Sequence, residues 1–203
     1  MYEFVALTPV IDREVKMNRQ RGPRAVVLSV AAIAVLSLAG CGDAGPSAQL
    51  LPRDTILPVS AVSKYFPDVT QEASTGPNET IVGKPIGLRS VVFASADGKK
   101  KVTLSVDQYA SASDAAAAYQ TAVQGSKAAP GFNPATAPNL GQEAFAGTSQ
   151  VGAEMHFGLG VRDGNLIMSA THAGDIPVTP DNSNNLISLG SDELTTAKQV
   201  LGP

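Results

Sequence analysis

The sequence has no tryptophan, one cysteine and two histidines, and aromatic residues make up 5% of its 203 residues. One cysteine cannot form a disulfide within the chain, which excludes a disulfide-stapled scaffold and leaves stability to a packed core. Long apolar runs are missing as well. The most apolar one, "AVVLSVAAIAVLSL" at residues 25–38, has 14 residues, whereas a membrane-spanning helix needs about 20. The sequence therefore argues against a transmembrane anchor.

Positive charge is scarce after this run. Residues 41–203 contain 10 Lys and Arg against 15 Asp and Glu, a formal charge of −5. This balance predicts that nucleic acid is not a partner. The same 163 residues are enough for one domain that buries roughly 68–70% of its unfolded surface.

Motifs for catalysis are absent too. The sequence has no G-x-S-x-G, H-E-x-x-H, phosphate-loop or paired-cysteine motif. The glycine-rich run 158–164 fails the dinucleotide fingerprint, because it lies in a predicted hairpin with no helix following it. We therefore predict a non-enzymatic protein with no catalytic residues, no metal site and no cofactor, and place hydrolase activity last among the alternatives.

What the sequence does contain is an ordered N-terminal signal. Arg19, Arg21 and Arg24 precede the apolar run, and small residues follow it, which is the order of a secretory signal peptide. Residues 1–16 carry three acidic side chains, which fits a signal poorly and suggests that translation starts at Met17. We predict that residues 1–40 are the signal peptide.

The signal ends in "LAGC" at residues 38–41, which resembles the lipobox of bacterial lipoproteins. The resemblance implies cleavage before Cys41 and attachment of a diacylglyceryl group to its sulfur, and two acyl chains give stable anchoring. The expected partner is thus the bilayer, and the expected location is the extracytoplasmic face of the cell membrane. A buried or incidental cysteine and a secreted protein cut elsewhere are the alternatives. Residues 41–49 are predicted to be a flexible tether.

Residues 50–203 are predicted to form one α+β domain, with an antiparallel sheet of about five strands in hairpins and helices packed on one face. A first hairpin turns at Asp97-Gly98 and pairs Val91 with Leu104. A second turns at Asp163-Gly164 and pairs Val161 with Leu166. In the second hairpin Gly158 and Gly160 lie on the outward face. There, glycines either let another backbone or side chain pass close by or reduce the tendency of a sheet edge to associate.

Helices are predicted near residues 57–66, after a cap at Ser111 until Gly125, and after a cap at Ser191. The intervening segment 67–85 has the composition of a loop. The segment 173–190, rich in Pro and Asn, is predicted to be a long loop that is either a lid or slack chain.

The two histidines do not form a predicted metal site. Strand alternation places His156 on the polar face as a solvated residue and His172 on the apolar face as a partly buried strand-end residue. Three lysines, Lys99 to Lys101, flank the first turn. They either contact anionic headgroups or, as we favour, form a solvated turn that protects a strand edge.

"LGQEAF" at residues 140–145, followed by "VRDGNLIM", is similar to actinobacterial secreted lipoproteins and to the extracellular sensor domains of mycobacterial receptor kinases. This chain lacks the cysteine pairs usual in those domains. We expect an envelope lipoprotein that binds a partner protein or envelope component. The alternative is a carrier or sensor that holds an apolar or lipid ligand between helices and sheet.

Overall fold

The computed structural model describes residues 48–77 and 82–202. The predicted signal peptide, Cys41 and residues 42–47 lie outside the described residues. In chain order the elements are β1 (Gln49–Leu50), a 3₁₀ turn (Arg53–Thr55), α1 (Val59–Tyr65), β2 (Val69–Gly76), β3 (Gly87–Ser95), β4 (Lys100–Gln108), α2 (Ala112–Ala128), β5 (Asn133–Ala135), β6 (Glu143–Val151), β7 (Glu154–Asp163), β8 (Leu166–Gly174) and α3 (Pro180–Leu201).

The strands form one open sheet in the order β1-β3-β4-β8-β7-β6-β5, and β2 also pairs with β3. Only β1 pairs in parallel among the described strands; the other pairs are antiparallel. The predicted mixed fold with an antiparallel sheet is therefore confirmed, but the sheet has eight strands rather than about five. The strands that were missed, β1, β2 and β5, lie at sheet edges. There, nearly all their side chains are exposed and show no alternation.

Both predicted hairpins are present, and the register of the first is confirmed: Val91 pairs with Leu104. The second is shifted, because its turn lies at residues 164–165 and Val161 pairs with Met168 instead of Leu166. Gly164 has φ 59°, which suits the first central position of a type I′ turn. A two-residue shift keeps every side chain on its predicted face.

The prediction that all helices pack on one face of the sheet is wrong. Leu159 and Gly160 are neighbours on β7 and so point to opposite faces. Gly190 of α3 lies against Leu159, whereas Tyr119 of α2 lies over Gly160. The outward glycine does admit a neighbouring side chain, and that side chain belongs to a helix covering the second face.

The prediction of a long loop at 173–190 is also wrong for its second half, because α3 begins at Pro180. Thr179 caps α3 by accepting the backbone N–H of Asn182 at 3.2 Å, and Pro180 occupies the first turn. The helix then continues through Gly190, where a Cβ would lie 2.6 Å from Leu159 Cδ2. Close packing against the sheet overrides the low helix propensity of the Asn and Ser residues. In α2 the predicted cap at Ser111 is confirmed, but the helix passes Gly125 and ends at Ala128.

The main core lies between one sheet face and the helices α1 and α3, and a smaller cluster of Tyr109, Ala115 and Ala118 lies under α2. Within the described part of the chain, no helix combines the length and the hydropathy that crossing a membrane requires.

Candidate binding groove

An open groove of about 190 Å³ lies at one end of the sheet. β4 begins there and β8 ends there, because Lys100 pairs with Gly174. The end of α1 and the first turns of α3 form its other walls. Its polar lining comes from Tyr65, Asp68, Lys100, Asp175, Asn182 and Asn185, and Phe66, Val69 and Ile176 are among its apolar residues.

The charges in the groove are largely paired within the protein. Lys100 forms an ion pair with Asp68 across the groove. This hydrogen bond raises the pKa of Lys100, and the nearby Asp175 carboxylate adds to the effect. With two carboxylates against one ammonium group, the lining carries a formal charge of −1, which disfavours an anionic ligand.

The two asparagines contribute acceptors. Asn182 donates from Nδ2 to the carbonyl of Pro177 at 2.8 Å, and Asn185 donates from Nδ2 to the carbonyl of Tyr65 at 3.1 Å. Each amide uses one of its two N–H donors internally, so each asparagine can offer a ligand its side-chain carbonyl oxygen and one remaining N–H. The Tyr65 hydroxyl donates to Asp192 Oδ2 at 2.7 Å, and this bond raises the pKa of Tyr65.

Behind the apolar wall lies a histidine. The His172 ring is 5.9 Å from the Phe66 ring and 5.8 Å from the Phe157 ring, measured between centroids. His172 is fully buried rather than partly buried as predicted, and neither ring nitrogen has a hydrogen-bond partner among the described residues. Burial, assisted by His156, lowers the pKa of His172 to about 4. The imidazole is therefore neutral at pH 7.

His156 was predicted to be solvated, and this is wrong: 7% of it is exposed. It lies on the face opposite to His172, as predicted, since His172 pairs with Phe157. Its Nε2 is 3.5 Å from Glu154 Oε2. Nowhere in residues 48–77 and 82–202 do three or more His, Cys, Asp or Glu side chains come together in a way that could hold a metal ion.

One buried acid went unnoticed in the sequence. Glu193 of α3 has no exposed surface, and its Oε2 accepts the backbone N–H of Leu57 at 2.9 Å. Burial raises the pKa of Glu193 to about 8. The signal in the sequence was its position, two residues after Ser191 and next to Leu194 in the predicted terminal helix. An acidic side chain in a helix is ordinarily expected to face solvent, so the position did not suggest burial.

Of the three lysines at the first turn, Lys100 alone lines the groove. The turn residues Asp97 and Lys99 are exposed, as expected for a solvated turn. Cys41, the one functional residue assigned from sequence, lies outside the described residues and stays a prediction.

No family model and no curated protein matches the chain. Among solved structures, it is similar to the extracellular domain of PknH from Mycobacterium tuberculosis, with 11% identity over 70% of this chain and 93% of that chain and a TM-score of 0.49.

A GTP binding regulator from Thermotoga maritima has 10% identity over 70% of this chain and 92% of that chain, with a TM-score of 0.38. LpqN, involved in cell envelope biogenesis of Mycobacterium tuberculosis, has 13% identity over 62% of this chain and 88% of that chain, with a TM-score of 0.30.

Proposed function

We propose that the protein is exported, anchored to the outer face of the cell membrane through lipid on Cys41, and acts there as a non-enzymatic binding module. The order of basic, apolar and small residues before Cys41 supports the anchor. The open groove supports the binding role.

The lining of the groove favours a neutral polar ligand. Two carboxylates, one ammonium group and two amide carbonyls line it, and burying such groups against an apolar ligand would leave them unsolvated at a cost of roughly 1–3 kcal/mol each. A hydroxyl-rich envelope component such as a cell-wall glycan satisfies them instead. The alternative, an apolar ligand held between helices and sheet, meets a tight contact where α3 approaches β7 at Gly190.

The test compares a double variant in the groove and a single-lysine control, both in the full chain. Lys100→Gln combined with Asp175→Asn removes two charges from the groove, while Lys99→Gln changes an exposed neighbour outside it. We expect the groove variant to retain at most a fifth of the wild-type binding to an isolated cell-wall glycan fraction, and the Lys99 variant to bind as the wild type does.

Two results would count against the proposal. Equal glycan binding by all three proteins removes the groove as the site. Stoichiometric lipid that is bound non-covalently, in addition to the lipid on Cys41, in protein purified natively from its own cells favours the apolar carrier. The anchor is tested separately by the mass of the mature N-terminus, which should carry lipid in the wild type and none in Cys41→Ala.

A further inference from the structure

The described domain begins at one particular end of the sheet. Gln49 donates its N–H to the carbonyl of Ile86 at 2.8 Å, and β1 pairs with the first residues of β3, Gly87 and Leu88. The chain that leads from Cys41 therefore joins the domain at the Gly87 end of β3.

The segment between Cys41 and this end is short. Nine peptide units separate Cys41 from Leu50, so the two residues lie at most about 30 Å apart. A domain of about 150 residues has a radius of gyration of about 15 Å and a diameter of roughly 40 Å, which exceeds this reach. A lipid on Cys41 would consequently keep the Gly87 end close to the bilayer.

Large apolar side chains are exposed at this end. Leu50 is 53% exposed and Ile86 is 50% exposed. Both point to the same side of the sheet, because Leu50 pairs with Leu88 and Ile86 lies two residues before Leu88. Lys84 is exposed beside them. We call Leu50, Lys84 and Ile86 the anchor edge.

The end of α3 adds to the apolar character of this end. Val200 is 37% exposed, and Lys198, two residues earlier in α3, donates to Asp163 Oδ2 at 2.5 Å. Asp163 precedes the β7–β8 turn, which lies at the Gly87 end since Leu166 pairs with Gln108 and Gln108 with Gly87. Of the four large apolar side chains exposed in the described residues, only Met155 lies elsewhere.

The groove lies at the opposite end of the same strands. Lys100 and Gly174 flank it, and the nine residues of β3 separate that end from the anchor edge. At about 3.3 Å per step, the eight steps from Gly87 to Ser95 span roughly 26 Å.

We infer that the anchor edge contacts the surface of the bilayer that holds Cys41, and that the groove faces away from the membrane. The inference rests on the proposed lipid anchor. A leucine and an isoleucine enter the interfacial region of the lipids, and the Lys84 ammonium lies at the level of anionic headgroups. Two side chains fall far short of the about 800 Å² that each partner buries in a stable protein interface, which favours the bilayer over a second copy.

Photo-cross-linking in vesicles tests the orientation. The full chain, with lipid on Cys41 verified by mass, carries benzoylphenylalanine in place of Ile86 or, as the matched control, in place of Met155. Both positions are exposed, so neither change disturbs the core. In sparsely loaded vesicles of phosphatidylethanolamine and phosphatidylglycerol, we expect at least fivefold more lipid adduct from position 86 than from position 155.

A second measurement uses charge. Lys84→Glu should lower the lipid adduct at position 86 at least twofold in these vesicles and leave it unchanged in phosphatidylcholine vesicles. Equal adduct yields from positions 86 and 155, or protein dimers as the main product at position 86, overturn the inference and leave the anchor standing. Absence of lipid on Cys41 overturns both.

Discussion

His172 is a buried base with no hydrogen-bond partner among the described residues, and its side chain gives the folded protein a sensitivity to acid. The folded pKa of about 4 lies below the ordinary value of 6.5, so the unfolded chain binds this proton more tightly. The stability contributed by neutral His172 is present above pH 6.5 and is lost as the pH falls toward 4.

We expect the free energy of unfolding to fall by roughly 2 kcal/mol between pH 7.5 and pH 5 on account of His172. Urea unfolding at both values, for the wild type and for His172→Leu, measures it. The leucine variant should lose that much less, while His156→Gln, which keeps the buried imidazole, should follow the wild type. Parallel profiles for wild type and His172→Leu would show that the imidazole is not the acid-sensitive group.

The sequence predicts on which side of the sheet a residue lies better than it predicts how deeply the residue is buried. Alternation placed His156 and His172 on opposite faces correctly, but both are more buried than predicted. Depth depends on what covers a face, and the helix over the second face was not foreseen. Glu193 was missed for a related reason. Helical periodicity does not reveal a hydrogen-bond partner from a distant segment, such as the N–H of Leu57.

At the scale of elements, Glu193 joins the segment leading into α1 to the middle of α3. Arg53 is the charged group that faces it, and its guanidinium favours the carboxylate less than burial disfavours it. The folded pKa of about 8 lies above the ordinary 4.5. The stability that the protonated carboxyl contributes is therefore full below pH 4.5 and is lost as the pH rises through 8.

We expect this group to remove roughly 3 kcal/mol of unfolding free energy between pH 5 and pH 8. Glu193→Gln is neutral and keeps an acceptor for the Leu57 N–H, so its stability relative to the wild type should rise by roughly 3 kcal/mol from pH 5 to pH 8. Urea unfolding at the two pH values decides, with the exposed Glu154→Gln as control. A glutamine variant whose stability falls as steeply as the wild type contradicts the assignment.

A second element-scale prediction concerns the end of β8. Gly174 has φ 76°, and a Cβ there would lie 1.9 Å from the carbonyl oxygen of Lys99. Gly152 in the β6–β7 turn has a similar φ of 62° with nothing within 4 Å. Left-handed backbone costs alanine about 1–2 kcal/mol at either position, but only Gly174→Ala also forces two backbone segments apart.

Thermal or urea unfolding of Gly174→Ala and Gly152→Ala separates the two contributions. We expect the first to lose at least about 2 kcal/mol more than the second, a cost in the range of a steric overlap in a packed structure. Equal losses of unfolding free energy in the two variants would mean that the backbone at the end of β8 shifts to accommodate the methyl group at no further cost.

Hairpins and capped helices were predictable because local chemistry specifies them. The Asp97-Gly98 turn fixed a register that the structure confirms, and Ser111 caps α2 as predicted. The first half of α3 was not predictable in this way, since its Asn and Ser residues favour loops. It is helical because Leu186 and Leu189 are buried in the core of the domain.

For the whole molecule, the sequence predicted the class of fold and a lipid anchor but not the groove. Its lining joins α1, β2, β4 and the start of α3, which are far apart along the chain. No local pattern encodes such a meeting of distant segments. Likewise, the sequence does not show that one end of β3 lies near β1 and the other near the groove, because this depends on the order of the strands in the sheet.

The irregular edge strand β2 has a consequence for a molecule held on a surface. Its pairing with β3 is interrupted between Val69 and Gln71 and again between Glu72 and Ser74, and the strand at the far edge, β5, has three residues. Copies held by the proposed lipid anchor would share one orientation and diffuse in two dimensions, which would bring sheet edges into frequent side-by-side encounters. Bulges and short strands at both borders deny such encounters a straight ladder of free N–H and C=O groups. Anchored copies would then be able to crowd on a membrane without their sheets joining into fibres.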